Sequence, residues 1–187
     1  MVNAGSVIAS IILCLLGLRS AQAQTWQHFS PPGRSFVIEV PGKPETLKDE
    51  DSLVWLSRDK KNAYGFFKHV KSGLGYSLKL GIEKDPELII AVLHMSQHVT
   101  DREFDSTVNS SILWMFGDDK VFSKQTDVVI EGLHGREFVF DKGSLRGRAL
   151  FVNGGRQIYM LSVSSEAEEA IFSNAVSRTF DTFRPLK

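Results

Sequence analysis

The sequence predicts an α+β domain in which an antiparallel β-sheet is flanked by helices. Short segments that alternate apolar and polar residues dominate the chain, and they are typical of strands with one buried face. The capping-box pattern Thr100-x-x-Glu103 precedes apolar residues at helical spacing. Asn153-Gly154 joins two apolar runs, which favours a tight hairpin and therefore antiparallel pairing. Because each element would bury one apolar face, we expect a single layered domain.

The strands are predicted from this alternation and from the turn residues between segments. In the segment 35–40, Phe36, Ile38 and Val40 share one face, and Pro41 ends the strand. We interpret the glycines at 73 and 75 as a break and residues 132–135 as a turn. The predicted strands are 26–29, 35–40, 53–57, 63–70, 76–82, 126–131, 136–140, 146–152 and 157–163.

The segment 88–99 is ambiguous, because a buried strand and a buried helix both produce a continuous apolar run such as Leu88–Leu93. A strand is favoured for three reasons. The segment follows a strand and a proline turn, it is rich in β-branched residues, and it immediately precedes a well-marked helix start.

Two helices are predicted. The first covers residues 101–116, with Gly117 placed as its C-terminal cap. The second begins after a capping box at Ser165-x-x-Glu168 and buries a stripe of small and branched residues. Phe180 and Phe183 then pack the C-terminus onto the domain.

The N-terminal residues 1–23 are interpreted as a secretory signal peptide, which leaves residues 24–187 as one α+β domain. Val7–Leu18 is an apolar run too short to cross a bilayer core of about 30 Å. Ala21-x-Ala23 after it is the small-x-small pattern of a cleavage site. This predicts a periplasmic or secreted protein with no stable transmembrane span after cleavage. A retained N-terminal anchor and a buried helix are the alternatives.

Composition excludes several classes of function. The 187 residues carry 22 Lys+Arg and 22 Asp+Glu, so a nucleic-acid surface is not expected. The single cysteine, Cys14, lies in the predicted signal. A cleaved chain would have no thiol, which argues against cysteine nucleophiles and thiol redox chemistry. Export without disulfides favours a bacterial envelope.

Aromatic, glycine and proline positions form a recurring pattern in three parts of the sequence. They are Trp26-x-x-Phe29-x-Ser-Pro-Pro-Gly33-x-x-Phe36-x-Ile-x-Val40-Pro41-Gly42-x-Pro44, Gly132-x-x-Gly135-Arg136-Glu137-Phe138, and Arg148, Asn153-Gly154, Tyr159 and Phe180-x-x-Phe183 near the end. In these positions the chain resembles a group of bacterial secreted proteins of unknown function that look similar to the PsbP/Mog1-like superfamily. That resemblance implies an α/β/α sandwich and a role in binding or assembly, and it supplies no catalytic residue.

His94 and His98 are a weak candidate metal pair. On a helix, residues four apart share a face and could bind zinc. On a strand they lie about 13 Å apart at 3.3 Å per residue, which is too far to share an ion. Met95 stands where a zinc protease needs its glutamate. Ordinary surface or capping histidines are the favoured interpretation, and no metal or cofactor is expected.

Arg136, Arg146 and Arg148 are candidates for a site that holds an anionic ligand. Arg146 and Arg148 share one strand face, and an adjacent strand would place Arg136 beside them. Three guanidinium groups could hold a carboxylate or a phosphate. The favoured alternative is cross-strand pairing with Glu131, Glu137 or Asp141 on a solvated face.

No catalytic motif is recognised, so the sequence predicts a non-enzymatic binding or assembly domain of the bacterial cell envelope. Its partner would be an envelope protein or a small ligand. One alternative is a carrier or sensor of an anionic or apolar small ligand. A second alternative is a hydrolase whose site is assembled from distant residues. An exposed apolar patch would favour a protein partner, and a deep apolar pocket would favour a carrier.

Overall fold

The computed structural model describes residues 25–31, 33, 35–41, 46–49, 70–79, 86–116, 122–142 and 144–186. The predicted signal peptide at 1–23, the predicted strand 53–57, residues 63–69 of the predicted strand 63–70, residues 80–82 of the predicted strand 76–82, and the predicted cap at Gly117 lie outside the described residues.

The described residues form two antiparallel sheets and three helices. The larger sheet has seven strands in the order β3-β4-β5-β9-β8-β7-β6, and the smaller has the order β1-β2-β10. The elements are β1 Trp26–Phe29, β2 Phe36–Pro41, β3 Thr46–Asp49, β4 Val70–Lys79, β5 Glu87–Met95, α1 Asp101–Phe116, β6 Phe122–Ile130, β7 Leu133–Lys142, β8 Leu145–Asn153, β9 Gln157–Ser165, α2 Glu168–Ile171, α3 Asn174–Asp181 and β10 Arg184–Pro185. The predicted α+β class is confirmed, although β3 and β10 were not predicted.

A layer of other elements packs on each face of the larger sheet. Its first face, which includes Ile90, Leu150 and Leu161, packs against the smaller sheet, α2 and α3. Its second face, which includes Phe138, Phe151 and Met160, packs against Phe104 and Val108 of α1. Helix α1 crosses this second face because it links the interior strand β5 to β6 at the end of the strand order.

The structure shows that the ambiguous segment forms strand β5, as favoured. It pairs with β4 on one side and β9 on the other. Leu88, Ile90 and Val92 are buried on the first face, while Ala91 and Leu93 are buried on the second. An interior strand between two covered faces needs apolar residues at every position, which explains why the sequence lacked alternation there.

The predicted break at Gly73-Leu74-Gly75 is wrong, because β4 continues through it. Gly73 pairs with Leu93 of β5, and Gly75 pairs with Ala91. Gly75 also pairs with Asp49 of β3 on the other side. Backbone pairing therefore holds these glycines in an extended conformation that the local sequence does not favour.

The turns differ from their predicted positions. The turn between β6 and β7 consists of Glu131 and Gly132, with φ angles of 52° and 78°, so Leu133 already belongs to a strand. The hairpin at Asn153-Gly154 is confirmed, but its connection contains residues 154–156, and the pairing of β8 with β9 begins at Asn153 and Ile158. The positive φ, 78°, falls at Gly155 instead of at Asn153 and Gly154.

Helix α1 is confirmed with the predicted bounds and capping box. The backbone N–H of Thr100 donates to Oε2 of Glu103 at 2.9 Å, and the N–H of Glu103 donates to Oγ1 of Thr100 at 3.3 Å. These reciprocal bonds satisfy two backbone donors that the helix start leaves unpaired.

The predicted C-terminal helix is two short helices, and its predicted capping box at Ser165 is wrong. Ser165 Oγ accepts from the backbone N–H of Ala167, whereas Ala167 precedes α2 without a side-chain cap. The cap is Ser173, whose Oγ accepts from the N–H of Val176 at 3.3 Å at the start of α3. The break lets both helices bury their apolar residues on the first face, including Ile171 and Val176.

Substituting Ser173 by alanine is expected to lower the free energy of unfolding by about 1 kcal/mol, because a backbone donor of α3 loses its acceptor. Urea denaturation of both proteins measures the difference. Ser177→Ala is the control within α3 and should change stability by less than about 0.5 kcal/mol. Equal losses from the two substitutions would contradict the assignment of the cap.

Candidate functional site

The candidate functional site is a groove on the first face of the larger sheet, between α2–α3 and the strands β6 and β7. It consists of two adjoining cavities of about 370 and about 620 Å³. Glu137 of β7 and Arg148 of β8 line both cavities, so the two form one continuous surface. We call this surface the groove.

The groove exists because the helical layer covers only part of the sheet. Helix α2 contacts β8 and β9, and α3 contacts β2. Strand β6 lies at the end of the strand order in the described sheet, so its residues Lys124 and Thr126 form the outer part of the floor. Both residues are exposed.

Arg146 and Arg148 on the groove floor are each paired with carboxylates. Nε of Arg148 lies 2.5 Å from Oε1 of Glu137, and its Nη2 lies 3.3 Å from Oε2, which is a two-point contact between guanidinium and carboxylate. Arg146 contacts Asp141 at 3.1 Å between Nε and Oδ1, and it also contacts Glu168 of α2. An incoming anion would therefore compete with carboxylates already in place.

Two of the three predicted arginines lie together, and the third does not. Arg146 and Arg148 both point to the first face, as predicted from their spacing. Arg136 pairs with Phe151, whose side chain lies in the second core cluster, so Arg136 lies on the opposite face of the sheet. The expectation that β7 would place Arg136 beside the other two is wrong, because the pairing of β7 with β8 turns the side chain of Arg136 to the opposite face of the sheet.

Arg136 instead ties α1 to β6. Its Nε lies 2.8 Å from Oδ1 of Asp127 on β6, and its Nη2 lies 3.2 Å from Oδ1 of Asp105 on α1. Nε2 of His134 lies 3.0 Å from the same Asp105 oxygen. The His134 ring also packs edge-on against the ring of Phe104. These contacts fix the helix on the second face of the sheet.

The two histidines proposed as a metal pair do not share a helix. His94 lies in β5, and His98 lies in the loop that leads to α1. Nδ1 of His94 is 3.4 Å from Nε2 of Gln157. Among the residues that the structure describes, no group of three or more His, Cys, Asp or Glu side chains is placed to hold a metal ion.

Sequence reasoning missed the apolar wall of the groove. Ile171 and Phe172 line the larger cavity from α2 and its C-terminal end, and Phe180 lines the smaller from α3. Phe172 remains 46% exposed, although the neighbouring Ile171 is fully buried. The guanidinium carbon of Arg148 lies 4.5 Å from the centroid of the Phe180 ring. An aromatic residue outside the buried stripe of the predicted helix was the available signal.

Buried tyrosines on the first face have perturbed ionisation. Burial raises the pKa of Tyr159 above its ordinary value, and it does the same for Tyr76. The hydroxyl of Tyr159 donates to Oε1 of Gln157. Neither tyrosine is among the groove residues, so these side chains contribute to packing of the first face.

In the described part of the chain, no helix combines the length and apolar character needed to span a bilayer.

Comparison with known proteins gives a structural relative. No protein-family model and no curated protein matches the sequence. The structure is similar to the solution structure of cyanobacterial PsbP (CyanoP) from Synechocystis sp. PCC 6803, with a TM-score of 0.60 and 10% sequence identity. The match covers 89% of this chain and 96% of that protein. At this identity the likeness concerns the fold alone. The chain has a PsbP-like fold.

Proposed function

We propose that this protein is an exported, non-enzymatic binding domain of the bacterial cell envelope, and that it holds a polypeptide segment of a protein partner in the groove. The observation that carries the proposal is the groove itself, in which the exposed ring of Phe172 lies beside the ion pairs Arg146–Asp141 and Arg148–Glu137. The N-terminal signal pattern supports export.

The composition of the groove favours a protein partner over a small ligand. Pockets for small molecules are mainly apolar and enclose most of their ligand. Here the floor carries the pairs Arg148–Glu137 and Arg146–Asp141, and apolar side chains lie among these charges, such as Val139 on the floor and Phe172 on the wall. Apolar anchors beside a polar, solvated border are typical of protein interfaces.

Phe172 is the proposed anchor of the interface. It is the most exposed aromatic side chain on the groove wall, and burying a phenyl ring in a partner contributes about 1.5–3 kcal/mol. The neighbouring cations Arg146 and Arg148 and the anions Glu137 and Glu168 would then orient the partner at the border of the contact.

Site-specific photocrosslinking in the native cell tests the proposal. A crosslinking residue at Thr126, on the groove floor, is expected to yield a defined protein adduct in the envelope fraction. The matched control is the same residue at Arg102, an exposed position on α1 across the sheet, and it should yield no such adduct. Equal adducts from both positions, or none from Thr126, would contradict a protein partner in the groove. A small molecule retained by the intact protein in native mass spectrometry would favour a carrier instead.

Phe172→Asp is expected to reduce the Thr126 adduct by about tenfold or more, because a charge at the anchor would be desolvated in the complex. The thermal midpoint of the free protein should change little, since the ring is half exposed. Gel quantification and a melting curve of the same preparation separate the two effects. An undiminished adduct with an unchanged melting curve would exclude Phe172 as the anchor.

A further inference from the structure

We propose that Asn153 is a deamidation site whose reaction is held off by the fold, and that deamidation there detaches the start of α1 from the β8–β9 hairpin. The sequence contains a single Asn-Gly dipeptide, Asn153-Gly154. Glycine offers little steric hindrance to attack of its backbone nitrogen on the preceding side chain, so Asn-Gly is the dipeptide most susceptible to this chemistry.

The reaction needs only water. The backbone nitrogen of Gly154 loses its proton to solvent and attacks Cγ of Asn153, the Cγ–Nδ2 bond breaks, and the amide nitrogen leaves as ammonia. Water then opens the resulting succinimide at either carbonyl, which gives aspartate or isoaspartate. One amide is lost, one carboxylate is gained, and no redox change occurs.

In the folded protein every reacting group is occupied. Nδ2 of Asn153 donates to the backbone oxygen of Val99 at 3.2 Å and to Oδ1 of Asp101 at 2.9 Å. Oδ1 of Asn153 accepts from the N–H of Gly155 at 3.0 Å. The attacking N–H of Gly154 donates to the oxygen of Gln157 at 2.8 Å.

Burial strengthens this protection. Asn153 is only 6% exposed, and a further backbone bond joins the N–H of Val99 to the oxygen of Gly155 at 2.9 Å. The side chain cannot rotate toward the Gly154 nitrogen without breaking its bonds to Val99 and Asp101. The rate of deamidation should therefore follow local opening of this cluster.

The product does not fit the same place. A carboxylate at position 153 has only acceptors, and it would face two more acceptors, the Val99 carbonyl and the Asp101 carboxylate. Like charges and unpaired buried acceptors disfavour that arrangement. The contact that links the hairpin to the first turn of α1 would be lost irreversibly.

The rate is tested by peptide mapping with mass spectrometry at mildly alkaline pH, in buffer and in urea. We expect deamidation of residue 153 to be at least about tenfold slower in the folded protein than in urea. Asp101→Ala should accelerate the reaction in buffer by about threefold to tenfold, since it removes one bond to the amide. Asp101→Asn retains an acceptor oxygen and should change the rate little. Equal rates in buffer and urea, or no acceleration in Asp101→Ala, would overturn the proposal.

The consequence is tested with Asn153→Asp, which reproduces one product. The thermal midpoint of this variant is expected to fall by roughly 5–10 °C. The control is Arg102→Ala, because Arg102 is exposed and lies next to Asp101 in the first turn of α1, and this substitution should change the thermal midpoint little. If the variant does not fold, partial deamidation in urea followed by refolding provides the measurement. Modified chains should be depleted from the folded fraction, and equal recovery of modified and unmodified chains would overturn the proposed detachment.

Discussion

Replacing Phe36 by alanine is expected to lower the free energy of unfolding by about 3–5 kcal/mol. The side chain has no exposed surface. The centroid of its ring lies 6.0 Å from the ring centroid of Tyr76 in β4 and 5.7 Å from that of Phe183 near the C-terminus. Phe36 thereby joins the smaller sheet to the larger one. The loss combines the transfer free energy of the ring with the cavity it leaves, because the surrounding elements cannot all close inward.

The control is Val37→Ala on the same strand, since Val37 points away from the first face and is half-buried. It should cost about 1 kcal/mol or less. Urea denaturation with two probes, tryptophan fluorescence and far-ultraviolet circular dichroism, measures both variants and checks that unfolding is cooperative. Similar losses at the two positions would mean that the smaller sheet does not depend on this aromatic contact.

Removing the carboxylate of Glu137 is expected to lower the free energy of unfolding by about 2 kcal/mol. Arg148 is only 13% exposed and would remain on the groove floor without its two-point partner. Loss of one member of a fully buried pair costs about 3–5 kcal/mol. The value here is lower because Glu137 is 24% exposed and water can partly replace it.

A double-mutant cycle separates the pair from each residue's other contacts. Glu137→Ala combined with Arg148→Met should be less destabilising than the sum of the single substitutions, with a coupling of about 1–2 kcal/mol. The comparison pair is Arg146 and Asp141, which are nearly half exposed and should couple by less than about 1 kcal/mol. Equal coupling in the two pairs would show that burial does not set the strength of the groove's ion pairs.

The same substitutions bear on the proposed binding surface. Glu137 and Arg148 line both cavities of the groove, and Arg148 also packs on Phe180. Glu137→Ala would free a cation at the centre of the groove floor. Its effect on the Thr126 adduct should therefore exceed that of Asp141→Ala, whose partner Arg146 keeps a second contact with Glu168.

Local chemistry was sufficient to predict several elements correctly. The reciprocal capping bonds of Thr100 and Glu103 are short-range, so the start of α1 could be read from four residues. Strand β2 could be predicted because Phe36, Ile38 and Val40 face one core, as alternation requires. Strand β5 was predictable only as a preference, since burial on both faces removes the alternation that identifies a strand.

The candidate site was only half predictable. Arg146 and Arg148 were placed on one face by their spacing within a single strand, and their pairing with Asp141 and Glu137 was the favoured alternative. The position of Arg136 depended on the register between two strands, and a shift of one residue reverses the face. Phe172 became part of the groove wall only because the C-terminal helix breaks beside it.

The sequence by itself determined the α+β class, the long helix, the hairpin at Asn153 and most strands, because these depend on periodicity and on capping or turn residues close together in the chain. The tertiary structure alone decided the strand order, the continuation of β4 through its glycines, the opposite placement of Arg136, and the groove. Those features depend on pairing between segments that are distant in sequence. The local conformational preferences of residues close together in the chain do not determine which distant segments pair.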